Sequence, residues 1–450
     1  PAVTVTRPTP DGSGPQPPAR TAHPATQRWG DLDVVPTGPR VQVSARIARR
    51  LFTAAVNRLA VTVVITEADG RRTTLGKGGP VATVSRAEEF FARLGRDQLI
   101  GFGEAYLVGA WDAEDLGGFL TVLAEQMSDL VPRPLQRLRA VVAKRPPRAQ
   151  VSSKKNSRDN IAHHYDLSND LFELFLDESM SYSSALFDTD RLDRGDHHSA
   201  TPPGAPTAEE LHPAQVRKIE RLLDATGVGE GTRVLEIGSG WGELAMRAAQ
   251  RGADVLTITL STEQQALARE RIAAAGMSER ARVELCDYRA VTGEFDAVVS
   301  VEMIEAVGHQ YWTTYFQTID KVLAPGGKVG IQAITMPHDR MLATRNTWTW
   351  IHKYIFPGGF LPSVEVIDEV TREQTSLRLT DRLSFGSHYA ETLRLWDEAF
   401  LGDSEAVLAL GFDDTFLRMW HFYLEYSRAG FASGYLDVNQ VVLTRPEEQA

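Results

Sequence analysis

At 450 residues the chain is long enough for two or three domains that each bury a core, and 42% hydrophobic with 24% charged residues is ordinary for a folded protein. Its single cysteine, Cys286, excludes an internal disulfide and any cysteine-based zinc cluster, and suits a reducing, cytoplasmic setting. No apolar run approaches the roughly 18 residues of a spanning helix, residues 1–40 hold no apolar signal-peptide core, and a net charge of −11 argues against nucleic acid as the main partner. The expectation is a soluble or surface-associated protein.

Residues 1–38 repeat Pro, Thr, Gly and Ser with few large apolar side chains, which predicts a disordered tail. From Val41 the pattern changes. Ile47, Leu51, Ala54, Ala55 and Leu59 recur at helical spacing, and LAVTVVITEADGRRTTLG then alternates like a hairpin around Asp69-Gly70. These open a small α+β domain, 39–145. Two further helical patterns, SRAEEFFARLG and DAEDLGGFLTVLAEQM, flank GFGEAYLVGAWD, a segment rich in glycine and aromatics that reads by itself as a packed turn. Between Arg133 and Arg158 stand nine Lys or Arg and no acid, so the linker at 146–159 is basic; it suits a solvated connection, an anionic membrane surface, or both.

Residues 160–450 form the second domain. Its first block, NIAHHYDLSNDLFELFLDESMSYSSALF, is polar and aromatic, and 188–206 reads as a loop insertion in which His197 and His198 have no acid at metal-ligand spacing. From Leu211, strand-like RVLEIG, DVLTITL, RVELCD, FDAVVSV and KVGIQAIT alternate with helical patterns, which predicts a doubly wound parallel sheet. Ligands of such sheets lie beyond the carboxyl ends of the strands. There VLEIGSGWGELA turns through Gly238, Gly240 and Gly242 into a helix, a turn that admits a ligand to backbone N–H groups. The second strand end carries Thr257, Thr259, Ser261 and Gln264 where dinucleotide enzymes place a ribose-binding acid, which weakens a nicotinamide or flavin oxidoreductase reading. Asp287, Tyr288 and Arg289 end the third strand and are placed to border an adenine ring; Glu302 and Glu305 stand at the mouth of the fourth. The stretch 341–400, with TWTWIHKYIFPGGFLPS, reads as a lid, and a helix and a final strand follow it.

Together, HYDLSND with M-x-YS, the E-x-G-x-G-W-G turn, TLSTEQ, DYR, EMIEAVG, FPGGFLPS and FYL…DVNQ resemble the cyclopropane-fatty-acyl-phospholipid synthase and mycolic acid methyltransferase family. The likeness runs over about residues 90–445, and GFGEAYLVGAWD resembles the N-terminal domain of the family's long form, a lipid- and membrane-association domain. The resemblance implies a Rossmann-like class I methyltransferase fold with a helical lid. It also implies S-adenosylmethionine as cofactor, held by Tyr165, Tyr182, Ser183, Glu236, Gly238, Gly240, Gly242, Thr259, Leu260, Ser261, Gln264, Asp287, Tyr288 and Arg289. The implied reaction is attack by the cis double bond of an unsaturated phospholipid acyl chain on the sulfonium methyl, then proton loss from a carbocation. Tyr182, Trp348, Trp350, Tyr354, Phe356 and Tyr423 are candidates to face that cation.

In the family a bicarbonate takes the proton, cradled by Cys, Glu, His and Tyr. Here the positions are Ser184, Glu305, Gln332 and Tyr423, a less cationic set. The departure leaves two products open: a cyclopropane, or a methylene that a separate reductase would convert to a 10-methyl branch. A homologue that binds lipid without catalysis is the non-enzymatic alternative. The resemblance further implies a cytoplasmic protein, peripheral on the inner face of the membrane, with a homo-oligomer left open.

Overall fold

The computed structural model describes residues 29–30, 32–126, 168–188 and 204–446. Tyr165, His197, His198, all of the basic linker and most of the 188–206 insertion lie outside the described residues.

The first unit comprises α1 (Pro39–Val56), β1 (Thr62–Thr66), β2 (Arg72–Gly76), β3 (Val81–Val84), α2 (Ala87–Asp97), α3 (Leu99–Leu107), β4 (Trp111–Ala113) and α4 (Leu116–Glu125). β1 and β2 form the antiparallel hairpin, and the sheet order is β2-β1-β3-β4. Two readings from sequence are corrected here. The glycine-rich segment GFGEAYLVGAWD holds the buried helix α3 and then β4, because its glycines let helices pack backbone to backbone: a Cβ at Gly101 would lie 1.9 Å from the carbonyl oxygen of Arg93. The tail ends before residue 38, since Trp29 and Leu32 are buried; the Trp29 indole donates to Asp413 over 2.9 Å, and Arg93 donates to the Leu32 carbonyl.

The second unit comprises α5 (Asn169–Glu173), α6 (Ala208–Thr226), β5 (Arg233–Ile237), α7 (Glu243–Gln250), β6 (Asp254–Thr259), α8 (Thr262–Ala274), β7 (Ala281–Leu285), β8 (Phe295–Val301), α9 (Ile304–Val307), α10 (Trp312–Val322) and β9 (Leu323–Thr335). It continues with α11 (His338–Thr344), α12 (Trp350–Tyr354), α13 (Val364–Gln374), β10 (Arg378–Ser384), α14 (Gly386–Gly402), α15 (Ser404–Ala409), α16 (Asp414–Ala432) and β11 (Asp437–Thr444). α6 starts on a capping box, Thr207 with Glu210; Pro213, in its second turn, leaves the Glu209 carbonyl without its helical N–H partner.

The seven strands run β10-β11-β9-β8-β5-β6-β7, parallel from β9 to β7, with β11 antiparallel to both β9 and the edge strand β10. All five strands expected from sequence are present. Val234, Leu235 and Ile237 of β5 are buried, as expected for a strand covered on both faces, and each full burial contributes about 1.5–3 kcal/mol. The chain passes from β5 to β6 and β7 on one side and returns to β8 on the other, so the crevice opens above the carboxyl end of β5. The stretch 341–400 is only partly a cap: β10 completes the sheet edge and α14 packs against α16. One apolar core joins the two units, with Trp111, Phe119, Trp350 and Phe422 in the same cluster. No helix among the described residues is long and apolar enough to cross a membrane.

Candidate active site

A cleft of about 1070 Å³ lies where β5 turns into α7. The turn needs its glycines: φ is +99° at Gly238, +48° at Gly240 and +92° at Gly242, and a Cβ at Gly240 would meet no atom within 4 Å, so its face is open to a ligand. Glu236, next to last in β5, is buried with its Oε2 lacking a hydrogen-bond partner, and desolvation pushes its carboxyl up to about 8.

Of the sequence-predicted cofactor residues, Tyr182, Ser183, Glu236, Gly238, Gly240, Thr259, Leu260, Gln264 and Tyr288 line this cleft. Gly242 and Ser261 sit one layer back. Gly242 is the N-cap of α7, and Ser261 caps α8 by accepting from the Gln264 N–H over 3.1 Å. Thr259 donates to Gln264 Oε1 over 2.8 Å, which fixes that side chain's orientation. Asp287 and Arg289 are not brought to the cleft; they pair with one another, Arg289 Nε to Asp287 Oδ1 at 2.8 Å, and Cys286 and Tyr288 line the wall instead.

The floor holds groups that sequence reasoning missed. Lys218 is fully buried on α6, donates to the Ser183 hydroxyl, and is the only cation lining the cleft among the described residues. Desolvation lowers its ammonium to about 8, against the raising pull of Glu302. Glu302 accepts from the Ser184 N–H and Gln332 Nε2 at Oε1, and from the Tyr389 hydroxyl at Oε2, each at 2.9 Å. Burial pushes its carboxyl up, and Lys218 pulls it back. Glu302 (φ +48°) and Met180 (φ +54°) are two of the three non-glycine residues in the left-handed region among the described residues, and both line the cleft. Such strain, about 1–3 kcal/mol per residue, persists where surrounding bonds over-determine it.

Glu305, on α9, is half-buried, with its Oε2 shut off from solvent. Its Oε1 accepts from the Ile334 N–H, its Oε2 has no partner, and desolvation, then the charge of Glu302, raises its carboxyl to about 8. The Tyr423 hydroxyl meets that of Tyr182 at 2.8 Å, and the Phe356 ring stands edge-on to Tyr423 at 5.9 Å. Of the other cation-facing candidates, Trp350 and Tyr354 are turned to the first unit. Trp350 packs on Phe422 and closely on Gly103, and the Tyr354 hydroxyl donates to buried Glu104 over 2.9 Å beside the Glu104–Lys353 ion pair.

The glycine face, the unpartnered Glu236 oxygen and the Thr259–Gln264 pair fit the methionine and nucleoside parts of S-adenosylmethionine. A bicarbonate is not matched. The Ser184 hydroxyl donates to the Ala185 carbonyl, Gln332 Nε2 donates to Glu302 and the Ser184 carbonyl, and Gln332 Oε1 accepts from Gln440 over 3.0 Å. Both donors are committed to protein atoms, which leaves a third anion without them.

Fold and cleft define a class I methyltransferase that uses S-adenosylmethionine. The family model "Mycolic acid cyclopropane synthetase" matches residues 152–441, and the chain belongs to that family, whose members methylate lipid acyl chains. It is 51% identical over 423 residues (93% of this chain, 96% of the relative) to the tuberculostearic acid methyltransferase UfaA1 of Mycobacterium tuberculosis. It is 32% identical over 362 residues (80% and 87%) to the cyclopropane-fatty-acyl-phospholipid synthase of Escherichia coli. Among solved structures it resembles the cyclopropane synthase MmaA2 from Mycobacterium tuberculosis, with TM-score 0.55, 31% identity, and coverage of 64% of this chain and 97% of that one. The mycolic acid cyclopropane synthase CmaA1, complexed with SAH and CTAB, is similar at TM-score 0.55 and 30% identity, covering 64% and 97%.

Proposed function

We propose that the chain methylates the cis double bond of an unsaturated phospholipid acyl chain at the inner membrane surface, and that a hydride shift precedes proton loss, giving an exocyclic methylene. The observation that carries this reading is Glu305: a desolvated carboxylate next to Glu302, with one oxygen anchored by the Ile334 N–H and the other unpartnered. S-adenosylmethionine supplies an electrophilic methyl on a sulfonium sulfur. The alkene π electrons form the new C–C bond while the C–S pair returns to sulfur, leaving a cationic carbon beside the methylated one.

Tyr182, Tyr423 and Phe356 present ring faces and edges near that charge without a competing nucleophile. Because its carboxyl sits near 8, Glu305 is mostly protonated at neutral pH, so proton removal is slow and a hydride moves first from the methylated carbon to the cation. Glu305 Oε2 then takes a proton from the new methyl, and the C–H pair closes the C=CH₂ bond. A separate reductase, delivering hydride and a proton, would complete a methyl branch. The name of the Mycobacterium tuberculosis relative supports a methyl-branched product, and that of the Escherichia coli relative supports a phospholipid carrier.

Methylene and cyclopropane products are isomers, so mass alone does not separate them; ozonolysis does. Formaldehyde released from the purified enzyme's product is the expected result, and a product inert to ozone would overturn the methylene assignment.

A further inference from the structure

We propose that the outward face of α1 is the surface on which the protein docks to an anionic phospholipid membrane; this rests on the lipid-methylating reading above. The helical spacing that marks α1 in the sequence does not point into the core. Val43, Ile47 and Leu51, at i, i+4 and i+8, are 56%, 55% and 58% exposed, and Ala54 continues the line. They form a stripe along a helix about 27 Å long. The opposite face carries its own apolar set: Phe52 packs edge-on to Phe90 at 5.2 Å and Phe91 at 5.8 Å, and Gly95 of α2 lets the two backbones approach at Ser44. A helix with one side in a core normally turns polar residues to water; α1 is apolar on both sides and rigidly held.

Charge names the occupant. α1 has four arginines and no acidic residue, within a chain of net charge −11. Arg49 turns aside to Glu67 and over the Phe91 ring. Arg46 and Arg50 are exposed, fall beside the apolar stripe on the helix surface, and have no ion-pair partner among the described residues; the same holds for Arg40 at the helix start. An apolar stripe edged with arginine matches the boundary between acyl chains and anionic headgroups. Pairing with a second copy across a two-fold axis would set these arginines against each other, which disfavours self-association through this face.

The test is co-sedimentation of the full chain with vesicles of phosphatidylcholine containing about one third phosphatidylglycerol, compared with pure phosphatidylcholine. Donor binding by calorimetry serves as the check on folding. We expect binding to the anionic vesicles that weakens with salt, a loss of at least tenfold in Ile47→Glu/Leu51→Glu, and a loss of about 30-fold in Arg46→Gln/Arg50→Gln, which corresponds to about 1 kcal/mol per arginine. S-adenosylmethionine affinity should stay within twofold in both variants, since neither pair of residues touches the cleft. Vesicle binding unchanged in both variants would overturn the proposal, as would a shift from oligomer to monomer in Ile47→Glu/Leu51→Glu without loss of vesicle binding. Methyl transfer to detergent-dispersed phospholipid separates the two ideas. Transfer that persists while vesicle binding ignores α1 refutes the docking surface alone. Absent transfer with α1-dependent vesicle binding supports the surface and refutes the lipid-methylating reading.

Discussion

Replacing Glu305 with Gln keeps the side chain's volume and the oxygen that accepts from the Ile334 N–H, while removing the group able to take a proton. General-base catalysis by a positioned side chain contributes about 10²–10⁴-fold, so kcat in a labelled-methyl transfer assay should fall by that factor. The pH dependence sharpens the test. With its carboxyl near 8, about one tenth of Glu305 is ionised at pH 7, so wild-type kcat should rise roughly tenfold between pH 7 and a plateau above pH 9. The rise should vanish in Glu305→Gln. Donor affinity, measured by calorimetry, should stay within twofold, because Glu305 does not line the donor cleft. Equal losses in kcat and donor affinity, or a rising limb that survives the substitution, would refute the assignment of Glu305 as the proton acceptor.

Glu236→Gln should weaken S-adenosylmethionine binding by about tenfold, and wild-type binding near pH 7 should release a proton as the cationic ligand draws Glu236 into its ionised form; calorimetry in buffers of differing ionisation enthalpy reads both. Gly240→Ala fits the empty fold sterically at about 1–2 kcal/mol of backbone strain. Its Cβ would occupy the open face, so donor affinity should fall more than stability does; parallel losses in melting and titration would argue that the turn is merely structural. Lys218→Met removes the cation facing Glu302 and should raise donor Kd about tenfold, whereas a Kd within twofold would show that the lysine serves only packing. Glu104→Gln should lower unfolding free energy by about 2–3 kcal/mol, below the loss for breaking a fully buried pair, because Lys353 can reach water; denaturant titration measures it. Glu305 and Glu236 also weight stability toward acid. Each has a raised folded-state pKa, so the stability it contributes is full below its unfolded value near 4.5 and is lost as pH rises through about 8.

The parallel sheet was legible because its strands are short apolar runs closed by glycine or polar turns, and the donor cleft because three glycines there adopt conformations other residues resist. The floor was harder to see. Lys218 stands on the apolar stripe of α6 with Leu211, Ala214 and Leu222, and a charge on a buried face was the available signal. Glu302 was visible only as one of two acids; its role depends on Ser184, Gln332 and Tyr389, which come from three distant parts of the chain. Helix α3 was hidden because glycines that usually break helices here permit close helix packing. Asp287 and Arg289 flank the cleft-lining Tyr288 and pair with one another, a contact that adjacent polar residues at a strand end do not announce.

The most direct test of the account gives the purified protein S-adenosylmethionine labelled in its methyl group and vesicles of an unsaturated phospholipid, then saponifies the lipid and locates the label. Label in the acyl chains, at the former double bond and dependent on Glu305, is the predicted result. Label confined to the headgroup, or donor binding without any transfer to saponifiable chains, would contradict it.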